Sequence, residues 1–307
     1  MKRNGVLVIG SANMDLVLSV KKFPQPGETI FGERFEMFPG GKGANQAVCS
    51  SKLGARTIFI GKIGNDEFGK NLSENFKREG VNINHILIDE ASNTGTALIT
   101  VDEEGENQII VISGSNMKIT PYDIKKEKEI FKEVKVVIVQ LEIPVETVLE
   151  AARLAKENDC IFILNPAPAK ELPEELISLT DYLTPNETEL ELLSGVDVDD
   201  DKSIEAAAKV LLNKGVKNII VTLGSKGACL INKEKKELFP AIKVKVVDST
   251  GAGDAFNGAL AYALSNNEEI ENAVKLAVSV ASFSVTKMGA QSSLPALNDI
   301  NFYKIAN

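Results

Sequence analysis

With 307 residues and 44% hydrophobic content, the chain can bury one large core or two smaller ones. Its formal charge of −9 excludes the broad basic stripe of a nucleic-acid surface, and no apolar run approaches the roughly 20 residues that span a bilayer. Cys49, Cys160 and Cys229 lack metal-ligand spacing, their odd number suits a reducing cytoplasm, and Met1-Lys2-Arg3-Asn4 runs straight into a strand with no visible signal peptide.

In chain order, Val6–Ile9 reads as a buried strand leading to Asn13 and Asp15, which share a face on extended backbone because they are two apart. Residues 16–39 are strand-like, with Pro24, Pro26 and Gly27 as turn signals. Pro39-Gly40-Gly41-Lys42-Gly43-Ala44-Asn45-Gln46 then opens a helix over 44–53. Its glycines permit close backbone approach, and Lys42 and Asn45 offer donors to a neutral polyol. It matches neither the Walker A loop nor the dinucleotide fingerprint G-x-G-x-x-G. Thr57–Ile60 is a strand and 68–79 a helix. Residues 94–113 read as two short strands around the turn Asp102-Glu103-Glu104-Gly105, and 127–135 as a solvated, charge-rich helix face.

Further on, a strand over 134–139 leads to Glu142, followed by a helix at Val145–Glu157. Ile161–Leu164 ends at Asn165, and Tyr182–Leu183 leads to Asn186 and Glu189. Asp199-Asp200-Asp201 is placed to cap a helix over 204–214. A strand over 219–222 ends at Thr222, before Leu223-Gly224-Ser225-Lys226-Gly227. The run 244–247 reads as one more strand, and helices follow over 255–264 and 270–286. Apolar runs alternating with helical patterns indicate a mainly parallel sheet covered by helices. With no linker or repeat, the expectation is one α/β domain over 1–307 with a small β-lid formed from about 16–39 and 94–113. A lid suits phosphoryl transfer, where water is a competing nucleophile.

The segment Asp248-Ser249-Thr250-Gly251-Ala252-Gly253-Asp254-Ala255-Phe256 carries the most chemistry. A glycine-rich turn opening a helix aims free backbone N–H groups and the positive end of the helix dipole at one spot, which is an anion site. An aspartate there repels an anion unless it has a task, and taking a proton from an attacking hydroxyl is such a task. Alone, the turn could equally be one with a capping aspartate, and each polar strand end could be a helix cap. In open α/β sheets, however, ligands bind beyond the carboxyl ends of the strands, where these residues recur. His85 is the sole histidine and reads as structural or surface, and Phe256 and Phe283 as core.

Gly40-Gly41-Lys42-Gly43-Ala44-Asn45-Gln46-Ala47, Gly61-Lys62-Ile63-Gly64-Asn65-Asp66 and the 248–256 turn together resemble the ribokinase, or PfkB, family of carbohydrate kinases, and within it the pentose-kinase branch. Gln140-Leu141-Glu142, Asn165-Pro166-Ala167-Pro168-Ala169, Thr184-Pro185-Asn186-Glu187-Thr188-Glu189 and Gly289-Ala290-Gln291 add to the likeness in the right order, over essentially the whole chain. The resemblance implies a three-layer α/β sandwich with a central, mainly parallel sheet and a small β-sheet lid that also forms a homodimer interface. It implies ATP-dependent phosphorylation of D-ribose at its 5-hydroxyl, with magnesium and an activating potassium ion.

By the same resemblance, Asp254 is the base and Gly251, Ala252 and Gly253 the anion hole. Asn13, Asp15, Gly41, Lys42, Gly43, Ala44, Asn45 and Glu142 hold the sugar. Asn186, Thr222, Leu223, Gly224, Ser225, Lys226 and Gly227 line the ATP site, with Glu189 near magnesium and the phosphates. Asp248, Thr250, Ser284, Lys287, Gly289 and Ser293 surround the monovalent cation. An adenine-side position that is often histidine or asparagine in relatives is Val278. Other expectations stay open: a family kinase of deoxyribose, fructose, a keto-deoxy sugar acid or a nucleoside, and a non-catalytic sugar sensor. A nicotinamide dehydrogenase lacks its fingerprint.

Overall fold

The computed structural model describes residues 3–300; Met1, Lys2 and 301–307, and with them the start of the chain read above, lie outside the described residues. The strands are β1 (Val6–Ile9), β2 (Asn13–Ser19), β3 (Arg34–Gly40), β4 (Thr57–Ile60), β5 (Lys62–Gly64), β6 (Leu87–Asp89), β7 (Gly95–Val101), β8 (Asn107–Ile112), β9 (Val136–Val139), β10 (Ile161–Leu164), β11 (Tyr182–Leu183), β12 (Asn218–Thr222), β13 (Ala228–Asn232) and β14 (Lys236–Phe239). The helices are α1 (Lys42–Lys52), α2 (Glu67–Arg78), α3 (Pro121–Lys126), α4 (Val145–Glu157), α5 (Glu174–Leu179), α6 (Glu187–Ser194), α7 (Asp201–Asn213), α8 (Ala252–Ser265) and α9 (Ile270–Ser284).

Eight strands form the central sheet in the order β14-β13-β12-β11-β10-β9-β1-β4. The ladders from β4 to β12 are parallel, and β13 and β14 are antiparallel. Every residue of β1, β4 and β9 is buried, as expected of parallel strands covered on both faces. Alternation divides each strand between two cores. Leu7, Ile9, Val137 and Val139 pack with α4 and α7, while Val6, Val8, Val136 and Ile138 pack with α1, α8 and α9. This is helix, sheet and helix in three layers.

β1 lies between β4 and β9, so the chain leaves it in one direction and returns on the other side. The crevice above such a switch is where open sheets bind ligands. α1 and α8 cross closely over it. A Cβ on Gly258 would meet Cys49 Cβ at 2.5 Å and the Gln46 carbonyl at 2.8 Å, and Ser50 Oγ donates to the Gly258 carbonyl at 2.9 Å. Glycine there lets the two helices that carry the site approach each other.

A second, four-stranded sheet has the order β3-β2-β7-β8, with β2 and β7 parallel and the outer pairs antiparallel. Its strands begin at Asn13 and run to Gly40, wider than the 16–39 span read from sequence. Asn13 pairs with Gly40 and Asp15 with Phe38, so the two polar residues share a face as expected. β8 is exposed at every position.

Three sequence expectations are corrected. Residues 244–247 form no strand. The run is β-branched, but the sheet ends at β14 and no strand pairs with it; Val247 N bonds the Val285 carbonyl at the end of α9 instead, and Val246 and Val247 are 61% and 50% exposed. Within 127–135 there is a 3₁₀ turn at Lys128–Lys132, not an α-helical face. The strand read over 134–139 begins at Val136, because Val134 is taken into the helical-side core under Phe131 and Lys135 N bonds the Gly5 carbonyl ahead of the ladder. His85 is structural: its Nδ1 lies 2.8 Å from Glu127 Oε2. Phe256 is buried and Phe283 packs against the same core.

Candidate active site

Gly251 takes a left-handed φ of 76° as the N-cap of α8, so Ala252, Gly253 and Asp254 fill the first helical turn. Their N–H groups belong to the set without a partner inside the helix; that of Ala252 bonds the Ser249 carbonyl at 3.2 Å. Gly253 has nothing within 4 Å of where a Cβ would sit. Its face is open space, the cradle that close approach of an anion requires. Asp254 is 7% exposed. Its Oδ1 accepts from Gln46 Nε2 at 3.0 Å and its Oδ2 from Asn45 Nδ2 at 2.9 Å. Burial pushes its carboxyl up, and Lys42, Asn45 and Gln46 oppose that rise.

α1 brings these partners because of how it starts. Gly41 has φ 89° and a Cβ there would lie 2.8 Å from Asn13 N, while one on Gly43 would lie 2.7 Å from Ser11 N. Both glycines therefore let the helix start against the end of β1. Ala44 N bonds the Ser11 carbonyl at 2.8 Å. Glu142 Oε2 accepts from Ser11 Oγ at 2.5 Å and from Lys42 N at 3.1 Å. Burial draws the Lys42 ammonium down, but Asp254, Glu142 and Glu189 outweigh it and hold it above its ordinary value.

On β2, Asn13 Oδ1 accepts from Asn116 Nδ2 at 2.7 Å. The Asp15 carboxylate lies against Gly40, where any Cβ would collide with it. Burial, then Glu142 and Asp254, push Asp15 up to about 7. A folded-state pKa above the usual 3.8 means the native state binds the proton more tightly. Stability on this group's account is fullest below the unfolded value and declines as pH rises through about 7. Asp15→Asn is therefore expected to raise the melting temperature above neutral pH relative to the parent, by an amount that shrinks on acidification, while sugar affinity falls. Thermal melts across pH check this; an equal or lower melting temperature at alkaline pH would remove the buried-charge penalty from Asp15.

A cleft of about 170 Å³ brings the motifs together, bounded by Lys42, Asn165, Thr184, Asn186, Glu189, Thr222, Gly251 to Asp254 and Asn257. Asn186 caps α6, and its capping box with Glu189 pairs Asn186 N with Glu189 Oε2 at 3.0 Å. Burial pushes Glu189 up, against the pull of Lys42. Gly224, Ser225, Lys226 and Gly227 do not border this cleft. Gly224 to Lys226 form a 3₁₀ turn beyond β12, closed by Leu223 N on the Gly227 carbonyl at 2.8 Å. Leu223 borders a separate pocket with Asp201 and Cys229. Val278, on α9, is buried in the core.

Asp248 Oδ1 accepts from Thr250 N at 2.9 Å and Oδ2 from Gly289 N at 2.8 Å. Those bonds hold its carboxyl below the usual range although burial pushes upward. Ser284 and Ser293 hydroxyls donate to the Ala281 and Ala290 carbonyls, and Lys287 Nζ sits over the Phe283 ring at 4.7 Å. Among the described residues no cluster of three or more His, Cys, Asp or Glu forms a metal centre. The loop thus offers a single carboxylate, a hard oxygen donor of low total charge, which suits a monovalent cation better than a transition metal.

Sequence reasoning assigned no role to Ser11, Gln46, Asn116 or Asn257. Gln46 stood inside a quoted motif, and its spacing next to Asn45 was the available signal. Asn257 Oδ1 accepts from Thr184 Oγ1 at 2.7 Å, so α8 is tied to the end of β11.

The sequence profile described as pfkB family carbohydrate kinase matches residues 3–297. A ribokinase of Haemophilus influenzae is 41% identical over 95% of this chain and 96% of its own. A deoxyribokinase of Salmonella typhi is 39% identical over 98% and 99%. A bifunctional ribokinase/ribose-5-phosphate isomerase A of Fructilactobacillus sanfranciscensis is 44% identical, and the chain spans 56% of its length. The structure of an Arabidopsis thaliana ribokinase complexed with ribose and ATP superposes with a TM-score of 0.93 at 34% identity, covering 98% of both chains. Two glycine-rich helix starts, one carrying a buried carboxylate and the other its amide donors, thus meet on the fold of these relatives, and the chain belongs to the pfkB family of carbohydrate kinases.

Proposed function

We infer that this chain transfers the γ-phosphoryl group of ATP to the 5-hydroxyl of D-ribose, giving D-ribose 5-phosphate and ADP. The observation that carries the reading is the buried Asp254 carboxylate, held by Asn45 and Gln46, beside the open face of Gly253. Asp254 accepts the proton of the primary hydroxyl. The hydroxyl oxygen then bonds the γ-phosphorus as the bond to the bridging oxygen of ADP breaks. N–H groups of Gly251, Ala252 and Gly253 face the charge on the transferring group. Asn13, Asp15, Lys42, Asn45 and Glu142, with the backbone of Gly41, Gly43 and Ala44, hold the sugar hydroxyls.

Asn186, Thr222 and the 223–227 turn support the nucleotide. Glu189 would orient magnesium, which would neutralise phosphate charge. Asp248, Thr250 and Gly289, with backbone oxygens of Ser284, Lys287 and Ser293, would hold a potassium ion and so fix the loop behind the anion hole. The deoxyribokinase relative supports a second reading, 2-deoxyribose as acceptor. A coupled ADP-release assay over ribose, deoxyribose, fructose, a keto-deoxy sugar acid and nucleosides, with potassium or sodium, decides. Turnover highest on ribose and raised by potassium is expected. Deoxyribose preferred over ribose would overturn the substrate, indifference to cations the potassium site, and no turnover on any acceptor the enzyme reading.

The lid supports a homodimer. Ile109, Ile110, Val111 and Ile112 are each at least half exposed on edge strand β8, and Met37 and Phe35 are exposed on β3, the opposite edge of the same sheet. An apolar edge of this kind is a pairing surface that a second copy would cover. A monomer in sedimentation at working concentration would refute this. Free, buried cysteines support a reducing cytoplasm as the setting, and cell fractionation tests it. No helix among the described residues is long and apolar enough to cross a membrane.

A further inference from the structure

Asp254 is not held by Asn45 alone. Asn45 Oδ1 accepts from Gln291 Nε2 at 3.0 Å, and Gln291 Oε1 accepts from Asn75 Nδ2 at 2.7 Å. Asn75 Oδ1 in turn accepts from Arg78 Nη2. Asn45, Gln291 and Asn75 are 6%, 9% and 6% exposed, whereas the Arg78 side chain is 70% exposed. A single chain of hydrogen bonds therefore runs from a surface guanidinium, through three buried amides on α2, the 291–293 turn and α1, to the carboxylate on α8.

The two ends fix its polarity. A guanidinium can only donate, and an ionised carboxylate can only accept. Turning any one amide around would set donor against donor or acceptor against acceptor in a buried site. Each amide therefore presents its N–H₂ towards Asp254. Aligned bonds of this kind polarise one another and favour the charged form of the terminal acceptor. We propose that Asn75 and Gln291 are positioning residues for phosphoryl transfer: through Asn45 they lock the orientation of the Asp254 carboxylate and keep it ionised. This rests on the reading of Asp254 as the base.

The other charged or titratable groups around Asp254 are Lys42 and Cys49 on α1, Glu142 after β9 and Asp15 on β2. None belongs to the chain of amides, so its contribution is separable. Gln46 supplies a second arm, with its Oε1 accepting from Gln140 Nε2 at 2.5 Å.

The test is Gln291→Met, neutral and of similar volume, with Asn75→Leu beside it. Each frees the amide orientation that the relay imposes. The acid limb of the kcat/KM profile is expected to move up by about one pH unit. The turnover number at neutral pH is expected to fall by about tenfold to a hundredfold with KM for ATP unchanged. Residues that merely satisfy buried polar groups would lower the melting temperature and leave the pH profile in place; that result overturns the proposal. Arg78→Leu, on an exposed side chain, folds regardless and is expected to move the limb the same way by less; no movement in it overturns the proposal if the buried variants do not fold. Asp254→Asn separates the two readings. If it is inactive while the relay variants keep the parent profile, only the relay fails; if it is active, the base assignment fails as well.

Discussion

Asp254→Asn is expected to lower kcat by roughly 10²–10⁴-fold while ATP binding persists. The side chain is isosteric, so the helix start and the anion-hole amides keep their places. What disappears is the acceptor for the sugar proton. The carboxylate is pinned through both oxygens by Asn45 and Gln46, so no neighbouring group is free to take over its position. One of those bonds becomes donor against donor in the variant, a local cost of about 1–3 kcal/mol. Against this, the amide needs no buried charge, and burial is the largest cause raising the Asp254 carboxyl. The two partly offset, so the variant is expected to fold. Isothermal titration with ATP and a coupled ADP-release assay report binding and turnover separately. Near-parent turnover would remove the base from this residue.

The site holds more negative charge than its single ammonium balances. Glu142 and Asp254 act on Asp15, and together with Glu189 they act on Lys42. Such crowding is costly to folding and useful to chemistry. A carboxylate that burial and like charges push upward is a better proton acceptor than a solvated one, provided it is ionised at working pH. The amide donors and Lys42 supply that condition. The positive potential for a polyanionic nucleotide is likewise local, from helix-start amides, so the net charge of −9 is no obstacle.

Much of this was legible because both faces of the sheet are covered. β1, β4 and β10 were read with their observed bounds, since continuous apolar runs between helical patterns have one reading in a parallel sheet. The same rule failed at 244–247, because pattern reports side-chain preference and a strand also needs a partner backbone. Polar strand ends pointed to the crevice, and the structure brings Lys42, Asn186, Glu189, Thr222 and Asp254 to it. The 224–227 turn follows the end of β12 and lies outside the lining of this cleft, so the resemblance alone assigns it to the nucleotide. The relay was not legible at all. Asn75 and Gln291 are 216 positions apart; Asn75 stands in no motif, and Gln291 closes Gly289-Ala290-Gln291 without a role of its own. An amide acquires meaning only from the group it faces.

Lys42→Met is the second large effect. The stem volume is kept and the one cation among the three carboxylates is lost. The Lys42 ammonium does most to hold the Asp254 carboxyl down against burial, so without it the carboxyl rises and the base is ionised only at higher pH. The acid limb of kcat/KM is therefore expected to move to higher pH, and kcat/KM for ribose at neutral pH to fall by about 10²–10³-fold, equivalent to roughly 3–4 kcal/mol of transition-state stabilisation. Stability should change with the opposite dependence on acid. Leaving buried carboxylates unpaired costs about 3–5 kcal/mol when they are charged, and the cost fades as they take up protons. The urea midpoint of the variant is thus expected to fall below the parent at alkaline pH and to converge on it as pH drops through the raised carboxyl pKa values. A deficit that stays constant across pH would mean that Lys42 contributes packing and sugar contact alone, and that the proton affinity of Asp254 is set by the amides.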